Sequence, residues 1–278
     1  MFSYQLHNSF TGAAFYRHEL ISADMFVHGF FTRKGGSSIG DFEGLNCSAI
    51  SGDLIEDVHC NREIIKKSIT HKSFQLITLS QIHGNKVVII DNESNGNIKQ
   101  PTSGFEADGL VTNNKNILLG ILTADCAPIL MADNNARVIG ACHAGWKGAL
   151  SGIIENTVLQ MCNIGAKTKD IRCVIGPTIS QESYEVDADF RENILDKSPL
   201  ALECFYPDTR IGIGDFKKKF FFNLQEYCRF VLRRACVHQF DCINIDTYKN
   251  PKLFYSYRLS CHEGKSKYGR QISIIGIR

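Results

Sequence analysis

The chain has 278 residues, 44% hydrophobic and 22% charged, with 31 Lys plus Arg against 29 Asp plus Glu. That composition excludes a disordered or fibrous chain, and a formal charge of +2 excludes any global attraction to nucleic acid or anionic lipid. At this length about 70–75% of the unfolded surface can be buried without a metal or disulfide staple, so any metal bound here serves chemistry.

Taken in chain order, the segment Met1 to Asn8 lacks a basic region followed by an apolar run, which predicts no secretory signal and a cytoplasmic location. The short, β-branched, apolar runs Val87–Ile90, Ile117–Thr123, Ile129–Ala132 and Val138–Ala141 read as strands. The stretch from Asp91 to Phe105 is loop-like but too short to separate domains, so residues 1–278 read as one domain. From Lys147 to Cys162, apolar residues at 150, 153, 154, 158 and 161 predict one helical face. A strand follows at Cys173–Ile175, then a second amphipathic helix over Asn223–Val237. Strands at Ile243–Ile245 and Ile272–Ile277 complete the pattern. Strands interspersed with a few helices predict a layered α/β or α+β domain, and the absence of GxGxxG and GxxxxGK[ST] argues against Rossmann and P-loop enzymes. The longest apolar run, Ile117 to Leu122, falls short of a membrane span. Eleven scattered cysteines with no CxxC pair predict reduced, mostly packed thiols. Lys217-Lys218-Lys219, ahead of three phenylalanines, reads as a solvated turn before a buried element.

Chemistry concentrates between Ser80 and Gly148. His83 precedes a strand, Cys126 lies in Thr123-Ala124-Asp125-Cys126-Ala127-Pro128 beside strand ends, and His143 follows a strand and precedes Ala144-Gly145-Trp146-Lys147-Gly148. Two imidazoles and a thiolate suit a tetrahedral zinc with a fourth position open to water or substrate. Their separations of 43 and 17 positions form no finger or ribbon signature, and a buried Cys with two hydrogen-bonded histidines is the bland alternative. Gly145 and Gly148 allow close backbone approach where a helix opens, a place that suits phosphate or carboxylate. Lys147 and Arg33, the latter on the glycine-rich Thr32-Arg33-Lys34-Gly35-Gly36 loop, offer charge for such an anion, against the alternative of solvated cations on ordinary turns. Trp146 either stacks on a planar base or packs as lid or core. Asp125 is a candidate general acid/base, a partner of a ligand histidine, or a turn cap. Arg258 and Arg270 either neutralise an anion or pair with surface carboxylates.

In order, Ser80-Gln81-Ile82-His83-Gly84, Ala107-Asp108-Gly109-Leu110-Val111-Thr112, the Thr123–Pro128 block, His143-Ala144-Gly145-Trp146-Lys147-Gly148, Ile175-Gly176-Pro177 and Tyr184-Glu185-Val186 resemble the YfiH/laccase-domain family. That family was once named polyphenol oxidases and is now described as purine nucleoside phosphorylases. The resemblance runs from about Gly29, through Thr32–Gly36 and Leu45-Asn46, to Arg270. It implies an α+β fold of four layers, α/β/β/α, and a zinc held by His83, Cys126 and His143. It also implies cytoplasmic phosphorolysis of adenosine, inosine and S-methyl-5′-thioadenosine, with some adenosine deamination. Substrate or phosphate contacts are then expected from Arg33, Asn46, Gln81, Lys147 and Arg258, and catalytic roles from Asp125, Cys126 and His143. Lys147 stands where the family often has Arg, Leu259 where a second Arg follows Arg258, and Tyr268 where Thr precedes Gly269. Lys keeps the charge but lacks the bidentate fork.

On this reading the zinc orients or polarises an oxygen of phosphate or substrate, basic groups hold the anion, and Asp125 protonates the departing purine. The expected partners are a nucleoside and inorganic phosphate, not nucleic acid or membrane, and the chain acts as a monomer or weak homodimer. A copper phenol oxidase is a weaker reading, since nine histidines contain no HxH motif. A cysteine or metal amidohydrolase acting on peptidoglycan precursors, with Cys126 as nucleophile and His143 as base, is a rival, and a non-enzymatic metal-dependent binding protein is a third.

Overall fold

The computed structural model describes residues 3–90, 105–208 and 219–278. The loop-like stretch up to residue 104, and Lys217 and Lys218, lie outside the described residues. One six-stranded sheet has the order β1 (Tyr4–Asn8), β2 (Ala14–His18), β3 (Phe26–Phe31), β15 (Gln271–Ile277), β7 (Ile117–Thr123) and β4 (Gln75–Ile77). A second has the order β14 (Gln239–Cys242), β10 (Ile171–Ile175), β8 (Ala127–Asp133), β9 (Val138–Ala144), β6 (Gly109–Thr112) and β5 (Val87–Ile89). A three-stranded sheet, β11 (Glu185–Asp187), β13 (Lys219–Phe222) and β12 (Phe205–Pro207), stands apart with β13 central.

Alternation along the strands sorts the core into layers. Phe26, Phe30, Leu119, Ile121 and Ile275 of the first sheet meet Leu110, Leu130, Ile139, Ala141 and Val174 of the second in one cluster. The outer face of the first sheet packs Phe15, Val27, Leu118 and Ile274 on Ile65 and Ile69 of α1 (Ile55–Ile69). The outer face of the second packs Ile129, Met131, Cys142 and Ile175 on α3 (Ile153–Asn163) and α5 (Leu224–Arg234). The result is the expected α/β/β/α order. Strands β7, β8 and β9 are covered on both faces, which is why they read as continuous apolar runs rather than alternating ones.

Two expectations change. The single helix over 147–162 is two, α2 (Trp146–Ser151) and α3, because Gly152 between them takes φ 98°, a left-handed conformation that breaks the ladder and that glycine adopts without strain. The last strand of the second sheet is Gln239–Cys242, parallel to β10, and Ile243–Ile245 runs beyond it. Helix α5 matches its pattern: Asn223 caps it by accepting from Glu226 N, Arg233 and Arg234 close its C-terminal end, and Leu224, Tyr227, Cys228, Val231 and Leu232 face the core. Strands β1–β3, helix α1, helix α4 (Ala188–Lys197) and helix α6 (Tyr257–His262) carry no signal in the sequence reading.

Candidate metal centre

Hairpin register explains how distant ligands meet. In the β8/β9 pair Ala127 lies opposite Ala144 and Pro128 opposite His143, so Cys126, one residue ahead of β8, sits at the open end of the hairpin beside His143. Strand β6 pairs Gly109 with Cys142 of β9, and β5 runs parallel to β6, so His83 ahead of β5 reaches the same end. The ligand atoms of His83, Cys126 and His143 all lie within 4.8 Å of one another, and the two imidazoles stand edge to face at 4.7 Å. It is the one group of this kind among the described residues.

Asp108 knits the centre together. Its Oδ1 lies 2.8 Å from His143 Nδ1 and accepts from His83 N at 3.0 Å, while Oδ2 accepts from Gly84 N at 2.7 Å and Ile82 N at 3.2 Å. The carboxylate thus fixes the ring of one ligand and the loop of another, leaving Nε2 of His143 to face the sulfur. Asp108 stands within the Ala107–Thr112 motif, whose pattern alone assigns it no role. The sequence signal is an acid one residue ahead of an apolar strand, which the structure buries and pairs with the His143 strand.

Burial pushes the Cys126 thiol up, but the His143 charge and hydrogen bonds from both imidazoles outweigh it and bring it down to about 6. Burial likewise opposes charge on His143, yet the Cys126 sulfur and the Asp108 carboxylate raise it to about 9. The Asp108 carboxyl, raised by burial, is held lower overall by His143 and by the Gly84 and His83 amides. Non-glycine residues with positive φ are few, and among them are His83 at 61° and Asp125 at 81°, so backbone strain is concentrated at one ligand and next to another.

The donor set fits a metal ion, and the space around it does too. A Cβ on Gly145 would stand 3.0 Å from Cys126 Sγ and 3.1 Å from His83 Cδ2, so glycine keeps a cradle that any side chain would fill. Two cavities converge on the centre and share His83, Ala124, Cys126 and Tyr257. The first, about 380 Å³, runs past His143, Gln81, Ser48, Arg62 and Arg270. The second, about 530 Å³, is walled by Trp146, Tyr184, Phe190 and Arg258.

Other sequence candidates fall differently. Arg33 donates to the Glu43 and Pro251 carbonyls, lies over the Tyr255 ring and lines neither cavity. Lys147 is exposed, its Nζ 5.4 Å from the Trp146 ring, at the start of a helix of only six residues. Gly148 comes close to the Gly84 carbonyl: a Cβ there would stand 2.9 Å away. Gln81 spends its amide on Leu122, donating to its carbonyl at 2.7 Å and accepting from its N–H at 2.8 Å. Asn46 is fully buried and accepts from Arg270 N and Ser48 N. Asp125 accepts from Thr247 Oγ1 at 2.7 Å, Ser256 Oγ at 2.9 Å and Arg258 N at 2.6 Å, anchoring the start of α6, whose Tyr257 borders both cavities. Burial pushes its carboxyl up against those three hydrogen bonds. Arg258 donates to the Glu185 carbonyl and lies over Tyr184 in the second cavity. Trp146 packs at 4.7 Å on Phe190 in that same wall.

A family model described as multi-copper polyphenol oxidoreductase laccase matches residues 27–278. A Rickettsia conorii protein named purine nucleoside phosphorylase is 37% identical over 199 residues, covering 71% of this chain and 77% of its own length. The Bacillus subtilis purine nucleoside phosphorylase YlmD is 31% identical over 260 residues, covering 91% and 88%. Among solved structures, the Bacillus licheniformis hypothetical protein YfiH superposes with a TM-score of 0.83 at 26% identity, over 98% of this chain and 99% of that one. YlmD from Geobacillus stearothermophilus gives 0.81 at 26% identity, over 98% of each. No described helix is long and apolar enough to cross a membrane.

Proposed function

We propose, from the premise that this chain belongs to the multi-copper polyphenol oxidoreductase laccase family, that it is a zinc-dependent purine nucleoside phosphorylase and not an oxidase. The observation that carries the reading is the convergence of an aromatic-walled cavity and an arginine-bearing one on a single His83–Cys126–His143 donor set. Relatives named purine nucleoside phosphorylase support the same reaction class. Thiolate and imidazole donors suit zinc or copper, but a multi-copper cluster draws on many imidazoles, and the described residues gather only the one group of two imidazoles and a thiolate. Zinc bound there supplies a fixed positive charge that stabilises developing negative charge.

The chain's own residues do the rest. Trp146, Tyr184 and Tyr257 offer ring faces to a purine, of adenosine, inosine or S-methyl-5′-thioadenosine. Asp108 holds the ligand geometry, and Asp125 is a positioning residue that seats α6 and with it Tyr257. In the reaction an oxygen of hydrogen phosphate bonds to the ribose C1′ as the C1′–N9 bond breaks. The bonding pair leaves with the purine, which takes up the proton that the phosphate gives up. We read residues 1–278 as one domain, because the core between the two large sheets draws on both Tyr16 and Ile277. The eleven cysteines are all free, which supports a reducing, cytoplasmic setting.

The test is metal analysis of the purified protein followed by turnover of adenosine and inosine with and without phosphate, products separated by chromatography. About one zinc per chain with phosphate-dependent release of free base is expected, and inosine formed from adenosine would add deamination. Copper with phenol oxidation, or zinc with no nucleoside turnover, overturns the reading. A cysteine hydrolase is the second reading, because Cys126, His143 and Asp108 follow one another as nucleophile, base and orienting acid. His83, a second imidazole on the same sulfur, is superfluous to it. Alkylation separates the two: a zinc-held thiolate is protected until the metal is chelated, whereas a free nucleophile reacts at once.

A further inference from the structure

Arg62 of α1 and Arg270 beside β15 both line the cavity that runs from the metal centre toward Ser48. Arg62 is only 8% exposed, and its Nε and Nη2 both donate to the Cys47 carbonyl, at 3.0 and 2.8 Å. Arg270 donates from Nη1 to Ser48 Oγ at 2.8 Å and from Nη2 to the Tyr268 hydroxyl at 3.3 Å. All these partners are neutral, and among the described residues neither guanidinium has a carboxylate beside it. Buried arginine is normally paired, so buried Arg62, with half-buried Arg270 on the same cavity wall, leaves a site that an anion would complete.

The pair is also rigidly mounted. Cys47 accepts from Arg62 through its carbonyl and donates from its amide to the Arg270 carbonyl at 3.1 Å, so one residue's backbone couples both arginines. Buried Asn46 accepts from Arg270 N at 2.9 Å and from Ser48 N at 3.2 Å. Each guanidinium spends two of its five N–H groups on these partners, and a pair of arginines fixed in advance with donors left over is what recognition of a phosphoryl dianion requires. Burial lowers the Arg62 pKa, the mark of a charge held without a counterion. Lys147 and Arg33, the basic groups that the motifs favoured, line neither cavity.

We propose that Arg62 and Arg270 form the subsite for inorganic phosphate, placing the attacking oxyanion in the cavity that ends on the metal centre. Its role as co-substrate rests on the phosphorylase reading, while the anion site itself does not. The same chemistry would suit the 5′-phosphate of a nucleotide, so both ligands belong in the test. Inorganic phosphate and adenosine 5′-monophosphate are titrated calorimetrically into the metal-loaded protein without nucleoside, for wild type, Arg270→Gln, Arg62→Lys, Arg62→Gln and the charge-matched control Arg172→Gln. Arg172 sits at the β10 strand, bonded to Gln239. Because Arg62→Gln removes the tie to Cys47, Arg270→Gln and Arg62→Lys carry the test if it fails to fold.

Phosphate affinity is expected to fall about tenfold or more in Arg270→Gln and to stay within about twofold in Arg172→Gln. In turnover, KM for phosphate rises by a similar factor while KM for nucleoside holds. Unchanged phosphate affinity in the folded arginine variants, no phosphate binding by wild type, or arginine-dependent binding of the nucleotide alone would each overturn the subsite. Arginine-dependent phosphate binding in a protein that cleaves no nucleoside supports the subsite and sinks the phosphorylase reading instead.

Discussion

His83 and His143 stand at strand ends with a thiol and a carboxylate between them, whereas His18 and His28 stand on adjacent strands β2 and β3 with backbone groups as their main partners. His28 Nε2 accepts from His18 N at 3.1 Å, its Nδ1 is buried without a hydrogen bond, and His18 Nδ1 accepts from Leu20 N. His18 Nε2 lies 3.5 Å from Asp241 Oδ2. Both His143 and His28 are almost fully buried, yet His143 rises to about 9 while burial, with Arg17 and His18 adding to it, drops His28 to about 3. Burial alone therefore tells nothing about function. What separates the two regions is whether a sulfur and a multiply bonded carboxylate compensate the buried imidazole.

The strongest way to break that contrast is Cys126→Ala. Removing the sulfur should strip the metal and reduce nucleoside turnover by more than the about 10–100-fold typical of losing an outer partner. Metal analysis and product chromatography on one sample check it, and an alanine variant with full metal content would mean that the sulfur is no ligand. Asp108→Asn comes next. The amide offers nitrogen where four N–H groups need acceptors, and metal affinity should fall about 10–100-fold in a chelator competition. Retained affinity would reduce Asp108 to a loop fastener.

Gly145→Ala sharpens the same point with a smaller change. Gly145 has φ −71°, which alanine adopts freely, so the added methyl acts only by crowding Cys126 and His83. We expect metal affinity to drop about tenfold, about 1.4 kcal/mol, with the melting temperature of the metal-free protein unchanged. A fall in metal-free stability of the same size would assign Gly145 to helix packing instead.

How much of this was legible follows from where each signal resides. Strands β7, β8 and β9 are legible because both faces are buried, and the three candidate ligands because Cys and His at strand ends interrupt apolar runs. Exposed β1, with four of its five residues at the surface, and α1, whose apolar face is sparse, gave no pattern to read. The proposed anion contacts are harder still to read. Arg33 and Lys147 sit in recognisable motifs, but the chain turns them onto carbonyls and solvent, while Arg62 lies in an undistinguished helix and is tied through Cys47 to Arg270, more than 200 residues away in sequence. Linear spacing marks what a hairpin brings together and is silent on what a sheet's far ends share.

The smallest effect lies in the His18–His28 pair and reads out as pH. For His28, the folded value of about 3 lies below the unfolded 6.5, so between them the unfolded chain binds more protons. Its contribution to stability is complete above pH 6.5 and is lost as pH falls toward 3, by up to about 1.4 kcal/mol per pH unit. At the metal-free centre the signs oppose. His143, raised to about 9, contributes stability present below pH 6.5 and lost as pH rises through 9. Cys126, lowered to about 6 from 9, contributes stability present above pH 9 and lost as pH falls through 6. Between 6.5 and 9 the two slopes cancel, so below neutrality the acid sensitivity carried by His28 stands beside that of its partner His18, which burial also lowers. Urea unfolding at pH 7 and pH 5 should show His28→Gln losing about 2 kcal/mol less than wild type over that interval, because glutamine accepts from His18 N without titrating. Equal losses in both proteins would take the acid sensitivity away from His28, and the contrast between the two histidine pairs would then be one of position only.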